Sequence, residues 1–296
     1  MSKKNQVGLK KKAKIWGESK NWDFDQNFEV IDSEGNKFQY DAEFPKRLKK
    51  AEKDARYENL HAVLKPHLLD RLRAYYGFAK IRVPALEGGR ANAHAYVSPD
   101  VYVNSKTLVI VQGLGRVYPG IWARKLLTSG RNGDYKCATM FSYIRKALSF
   151  GWSVVICDPN GDGNSEQNRC NHVRRVWETI IMKSVSTCAM VVAFSAGTRA
   201  ALEILGLNDA DAIKIDFKHR VKGIVLLDGS TGSSITKEAD KTWLQSNHRL
   251  LVMLRKTPKA IPPGTMFAVV QFDPGMQEGN NVTDLHDYVP GFAFKQ

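Results

Sequence analysis

A serine set between small residues at the end of an apolar run is the feature of this sequence best suited to chemistry. Met190-Val191-Val192 leads into Ala193-Phe194-Ser195-Ala196-Gly197 and then an alanine-rich helical stretch. This small-x-Ser-x-small pattern makes a sharp strand-to-helix turn, where larger flanking side chains would collide with neighbouring backbone. The turn exposes the hydroxyl beside a helix N-terminus, which favours developing negative charge. Ala193 stands where glycine is commoner, and the same residues also suit a plain helix N-cap. A nucleophilic serine needs a base and a group that orients the base. With chain order Ser, acid, His, the acid falls at Asp228, which ends the apolar run Ile224-Val225-Leu226-Leu227. The base is His286 or His248, the two histidines downstream. His286 lies in the polar stretch Asp284-Leu285-His286-Asp287 and is preferred, because His248 opens a strand; Asp273, Asp284 and Asp287 remain rival acids. The amides of Ala196 and of Leu114, in the turn Gln112-Gly113-Leu114-Gly115, would hold an oxyanion. That turn reads equally well as an ordinary tight turn.

The elements that must position these groups are legible in the hydrophobic pattern. Strands are expected at Lys80–Val83, Ala93–Val97, Thr107–Val111, Ser153–Cys157, Ala189–Ala193 and Val221–Leu227, with a last pair at His248–Leu254 and Met266–Phe272. Helical stretches at Ile121–Leu127, Met140–Phe150, His172–Lys183 and Gly197–Leu205 separate the central ones. Strands alternating with helices imply crossovers and a mostly parallel sheet covered on both faces. The continuous apolar runs Leu108–Val111, Val154–Ile156, Met190–Val192 and Ile224–Leu227 suit strands buried on both sides. The fold class is therefore α/β, an α/β-hydrolase-like sheet flanked by helices. Ahead of it come a basic arm (residues 1–20), a hairpin over Phe28–Tyr40 and a long helix from Pro45 to about Tyr76, which Pro66 kinks or breaks. Residues 21–296 are expected to form one domain.

Charge adds a second theme. The chain carries a formal net charge of +14 over 296 residues, which favours anionic partners. Residues 1–20 hold seven lysines against one glutamate, and Pro45 to Arg73 holds nine Lys/Arg against four Asp/Glu. The arm reads as a solubilising tail, as a nuclear import signal in Lys10-Lys11-Lys12-Ala13-Lys14, or as a phosphate-contacting segment. Direct nucleic-acid contact would run through residues 1–20 and 45–73, although no RNP-type signature accompanies them. There is no apolar run long enough to span a membrane and no secretory signal pattern. Four cysteines without CxxC pairing suit a reducing compartment: nucleus, cytosol or an organelle matrix. Asp158-Pro159-Asn160-Gly161-Asp162-Gly163-Asn164 mimics a calcium loop, but Arg169 stands where the bidentate Glu belongs, and a strand leads in. Cys170-Asn171-His172 lacks a second ligand pair for zinc. No metal and no cofactor is expected.

From about Lys106 to His286 the order of motifs resembles the Arb2 domain family, whose animal members were formerly named family with sequence similarity 172. The resemblance rests on Leu108–Gly115, Gly120-Ile121-Trp122-Ala123-Arg124-Lys125-Leu126 and Phe141-Ser142-Tyr143-Ile144-Arg145-Lys146-Ala147. It continues through Gly151–Ile156 with Asp158-Pro159-Asn160, His172 with Val176-Trp177-Glu178, the Val192–Gly197 elbow, Asp228 and His286. It implies an α/β-hydrolase fold with its serine at Ser195, and work as a partner of Argonaute proteins and chromatin in small-RNA gene silencing and cotranscriptional regulation. Two positions depart from the animal members: Gln112 precedes the glycine and Phe194 precedes the serine, where those members carry His. Two readings follow. One is an interaction module, a pseudoenzyme that joins an Argonaute-like protein or another nuclear RNA-linked complex. The other is a serine esterase or amidase using Ser195, Asp228 and His286, with Gln112, Gly113 and His172 lining the site. A buried, hydrogen-bonded structural role suits His172 equally well.

Overall fold

The eight strands expected from the sequence align as one sheet in the computed structural model of the chain. The structure describes residues 22–26, 30–38, 47–84, 93–113, 117–122, 138–161, 166–205, 216–227, 237–245, 250–254 and 268–271. A small antiparallel pair, β1 (Asp23–Phe24) and β2 (Val30–Ile31), stands apart from this sheet. The sheet strands are β3 (Ala79–Arg82), β4 (His94–Val97), β5 (Lys106–Val111), β6 (Ser153–Cys157), β7 (Cys188–Phe194), β8 (Val221–Leu227), β9 (Leu250–Leu254) and β10 (Ala268–Gln271). Their spatial order is β3-β4-β6-β5-β7-β8-β9-β10. Only β4 runs against its neighbours; from β6 to β10 every pairing is parallel. This is the helix-flanked, mostly parallel sheet that the sequence pattern implies.

The central strands β5, β6, β7 and β8 are apolar along most of their length because both faces are covered. Leu108, Ile110, Val154, Ile156, Met190 and Val192 point into one core with the helices α1 (Lys50–Asp70) and α2 (Phe141–Ser149). Val109, Val111, Val155, Cys157, Val191 and Ala193 point into the other, with α3 (Glu166–Val176) and α4 (Gly197–Leu202). The period of two along each strand assigns alternate side chains to the two cores. On α1 the buried residues Leu60, Leu64 and Leu68 recur every four positions, one stripe of a helix. Glu52 closes its first turn by accepting the Lys49 amide at 2.9 Å.

Several local expectations are corrected. Pro66 does not break α1, which runs unbroken through it into a π turn over Arg71–Tyr75. Gly77, at φ +69°, ends the element. The expected helix at Ile121–Leu127 is absent from its described part: Ile121 bridges Thr139, and the Trp122 amide donates to Ala138 O at 2.9 Å. Residues 123–127 lie outside the described residues. Helix α3 starts upstream of His172 and ends in a second π turn, Trp177–Ile181. In the hairpin region, β2 pairs with β1 as well as bridging Lys37, around a turn where Asp32 Oδ1 accepts the Glu34 and Asn36 amides. Two shorter elements, α5 (Phe217–Arg220) and α6 (Glu238–Gln245), flank β8 in the chain. Among the described residues no helix is long and apolar enough to cross a membrane.

Candidate functional site

The sheet reverses its winding at β5. The chain passes from β5 to β6 on one side and then to β7 on the other. In open α/β sheets the crevice outside the carboxyl ends at such a reversal is where ligands bind. Gln112 and Gly113 follow β5, Asp158 follows β6 and Ser195 follows β7, so all three strand ends deliver polar residues to this point.

Ser195 has φ +50°, a left-handed conformation that a non-glycine residue adopts only under local constraint. Three contacts supply that constraint. Its amide donates to Leu227 O at 2.7 Å, tying the turn to the end of β8. Its carbonyl accepts the Thr198 amide at 3.0 Å and the Thr198 hydroxyl at 2.6 Å, which starts α4. Gly197 then lies flush against the end of β5. A Cβ there would overlap Gln112 O and sit 3.0 Å from the Gln112 carbonyl carbon and 3.1 Å from Val111 O. Glycine two positions after the serine is thus required by backbone contact. Gly113 is similarly crowded, with Trp122 O at 2.9 Å and the Phe194 ring at 3.3 Å from a would-be Cβ.

Beneath the turn lies a polar network that residue spacing does not reveal. Gln112 is fully buried. Its Nε2 donates to Asp158 Oδ1 at 3.1 Å and to Val117 O at 3.2 Å. Both partners are acceptors, which fixes the orientation of the amide. Asn160 Nδ2 donates to Gly113 O at 3.0 Å and to Val117 O at 3.3 Å. The Asp158 amide donates to His172 Nε2 at 3.1 Å, so that ring nitrogen is unprotonated and a neutral ring carries its proton on Nδ1. Burial depresses the His172 pKa to about 4, against the opposing pull of Asp158. Burial likewise pushes the Asp158 carboxyl up, opposed by His172, the Gly161 amide, Lys65 and Lys80. The Asp158-Pro159-Asn160 run therefore ties β6 to the turn after β5. Asp158, Asn160 and Val117 are the supporting residues that the sequence reading missed.

The proposed site residues fall into two groups. Ser195, the exposed Ala196, Gln112, Gly113 and His172 are described. The structure gathers the first four at the adjoining ends of β5 and β7, and links Gln112 to His172 through Asp158. Gln112 and His172 are enclosed, not open to solvent. Leu114, Asp228 and His286 lie outside the described residues, as do His248, Asp273, Asp284 and Asp287. Among the described residues no side chain hydrogen-bonds the Ser195 hydroxyl, and no group of three or more His, Cys, Asp or Glu is placed to hold a metal ion.

Comparison with known proteins agrees with the family resemblance. The family model described as the Arb2 domain matches residues 24–167. A FAM172 family protein homolog of Caenorhabditis elegans is 31% identical over 123 residues, 38% of this chain and 38% of the relative. The cotranscriptional regulator ARB2A of Homo sapiens is 27% identical over 107 residues, 36% of this chain and 25% of the relative. A Dictyostelium discoideum homolog of that regulator is 24% identical over 210 residues, 55% of this chain and 54% of the relative. The matches thus span between about a quarter and about half of these relatives. Among solved structures, a histone deacetylase from Saccharomyces cerevisiae superposes with a TM-score of 0.54 at 10% identity, covering 81% of this chain and 98% of that one. At that identity the likeness speaks for the fold alone.

Proposed function

We propose, on the premise that this chain is a relative of the Arb2 domain family, that it is a protein-interaction module of nuclear, RNA-linked gene-regulatory complexes. An Argonaute-like protein of a small-RNA silencing pathway is the partner we put first. The observation that carries this reading is the Arb2 match over residues 24–167, with relatives named as cotranscriptional regulators. The geometry is consistent with it. His172, the described histidine nearest the turn in the bonding network, is enclosed and spends Nε2 on the Asp158 amide. Gln112 spends its amide on Asp158 and Val117, below the surface. The net charge of +14 suits work beside nucleic acid, with residues 1–20 and 45–73 as the segments of direct contact. Affinity capture from nuclear extract tests the proposal. Wild-type and Ser195→Ala proteins should recover the same RNA-linked regulators; recovery of chaperones alone, or loss with Ser195→Ala, overturns it.

One observation favours a second reading, a serine hydrolase: Ser195 holds φ +50° at a strand-to-helix turn. In that reading His286 takes the proton from Ser195, Asp228 orients the imidazole, and the amides of Leu114 and Ala196 bind the oxyanion. Hydrolysis of short activated esters that vanishes in Ser195→Ala would support it; turnover that persists in that variant would rule it out.

A further inference from the structure

The end of the sheet opposite Ser195 carries an apolar surface set among lysines. The strand β7 is seven residues long, which separates its two ends by about 20 Å. At its amino end four large apolar residues face solvent: Val103 is 78% exposed, Val185 57%, Phe150 46% and Tyr102 40%. They come from three segments that hydrogen bonds hold together. The Val185 amide donates to Tyr102 O at 3.2 Å, and Asn104 Nδ2 donates to Gly151 O, beside Phe150, at 2.9 Å. Thr187 and Cys188 both donate to Ser105 O. The patch is therefore part of a fixed surface, and clustered exposed apolar side chains of this kind mark interaction sites.

Its surroundings are basic. Lys106, Lys146, Lys183 and Lys222 are all exposed. Lys146 lies over the Phe150 ring at 4.9 Å, and Lys106 lies at 6.0 Å from the Trp152 ring. Lys106 and Lys222 both act on the Cys188 thiol between them, opposing the upward push that burial gives it. Asp100 is already engaged, accepting Ser98 Oγ and Asn104 Nδ2 at 2.7 Å each. The charge of this rim thus calls for an anionic partner, while Val103 and Val185 call for apolar side chains. The two most exposed members, Val103 and Val185, are aliphatic and offer a nucleic-acid strand neither stacking nor hydrogen bonds. Of the two aromatic members, Phe150 already has Lys146 over its ring, and the combination fits a peptide better than RNA.

We propose that this surface docks an acidic peptide segment of a partner protein, whose apolar side chains rest on Val103 and Val185. The inference rests on the interaction-module reading and adds to it where the partner sits and what chemistry it presents. Fluorescence anisotropy on the full chain tests it with three labelled probes. These are a short peptide alternating Asp/Glu with Leu/Phe, the same peptide with Ser in place of Leu/Phe, and a single-stranded RNA oligonucleotide. The acidic apolar peptide should bind, and the other two should bind at least about tenfold more weakly. Val103→Asp with Val185→Asp, and separately Lys106→Glu with Lys222→Glu, should each weaken the peptide by about tenfold or more. Tyr75→Ser, an exposed residue of the π turn that follows α1, should leave binding unchanged, and melting curves verify that each variant is folded. Failure of the peptide to bind, equal binding of the Ser peptide or the RNA, or wild-type affinity in either double variant would overturn the proposal. If the patch fails while nuclear partners are still captured, the surface is wrong and the module reading stands. Capture of no partner would sink the reading itself.

Discussion

Substituting Gly197 by alanine separates crowding at the turn from ordinary helix preference. Gly197 opens α4, where alanine would normally stabilise a helix by about 1 kcal/mol. Here the new methyl would overlap Gln112 O and press on the Gln112 carbonyl carbon and Val111 O, at 3.0 and 3.1 Å. Those atoms are backbone at the end of the central strand β5 and just past it, and cannot swing aside as a side chain would. Overpacking costs about 1–3 kcal/mol, and rigid obstacles put this case at or above the upper end of that range. The net loss is then about 2 kcal/mol, against the helix gain. With an unfolding entropy of ~2.1 cal/mol/K per residue, that lowers Tm by about 3 °C for a chain of this size. Gly151→Ala is the control. Gly151 sits at φ +71° with open space around it, so its cost is conformational only, about 1 kcal/mol and roughly half the effect on Tm. Thermal melts by circular dichroism read both. A Gly197→Ala protein with unchanged or raised Tm would refute the claim that α4 is seated on the end of β5.

Three further outcomes follow from the same geometry. His172 should remain neutral, with its proton on Nδ1, until about pH 4, as read from imidazole nitrogen shifts; protonation near pH 6 would contradict its burial. Because this folded-state value lies below the ordinary 6.5, the unfolded chain binds a proton first, and His172 lowers stability as pH falls from 6.5 towards about 4. Gln112→Leu removes the donor shared by Asp158 and Val117 O. It should cost about 1–3 kcal/mol in thermal melts, and no loss would remove the tie from the account. Arg220 Nη1 donates to the carbonyls of Ile181, Ser184 and Ser186, at the end of the second π turn and just beyond it. Arg220→Ala should therefore destabilise by about 2 kcal/mol, with incomplete rescue by Arg220→Lys, whose single nitrogen can meet the carbonyls but not also Asp216, the partner of Arg220 Nε at 3.3 Å; full rescue would count against the need for both contacts.

The sheet was readable from sequence because burial on both faces leaves an uninterrupted apolar run. Leu108–Val111, Val154–Ile156, Met190–Val192 and Ile224–Leu227 lie inside β5, β6, β7 and β8. The short turn at Ile121 was not, since Ile121 and Trp122 are apolar for a reason that periodicity cannot separate from helix: they pack under the Gly113 turn and pair with residues 138 and 139. Pro66 misled in the opposite sense, because the apolar stripe of α1 holds the helix through it. The Gln112–Asp158 bond joins the residues that follow β5 and β6, 46 positions apart in the chain, and no local pattern encodes such a pairing. His172 could be assigned to the surface or the interior only once the start of α3 at Glu166 fixed which way its side chain faces. The elbow was visible as a motif, whereas the backbone contact that demands glycine at 197 needed β5 beside it.

Labelling of the purified chain with a broad fluorophosphonate probe, wild type beside Ser195→Ala, tests the central claim most directly. If the elbow is kept as part of an interaction scaffold, folded wild-type protein stays unlabelled, like the variant. Labelling of wild type that disappears in Ser195→Ala would show an activated serine and contradict the scaffold account in favour of the hydrolase.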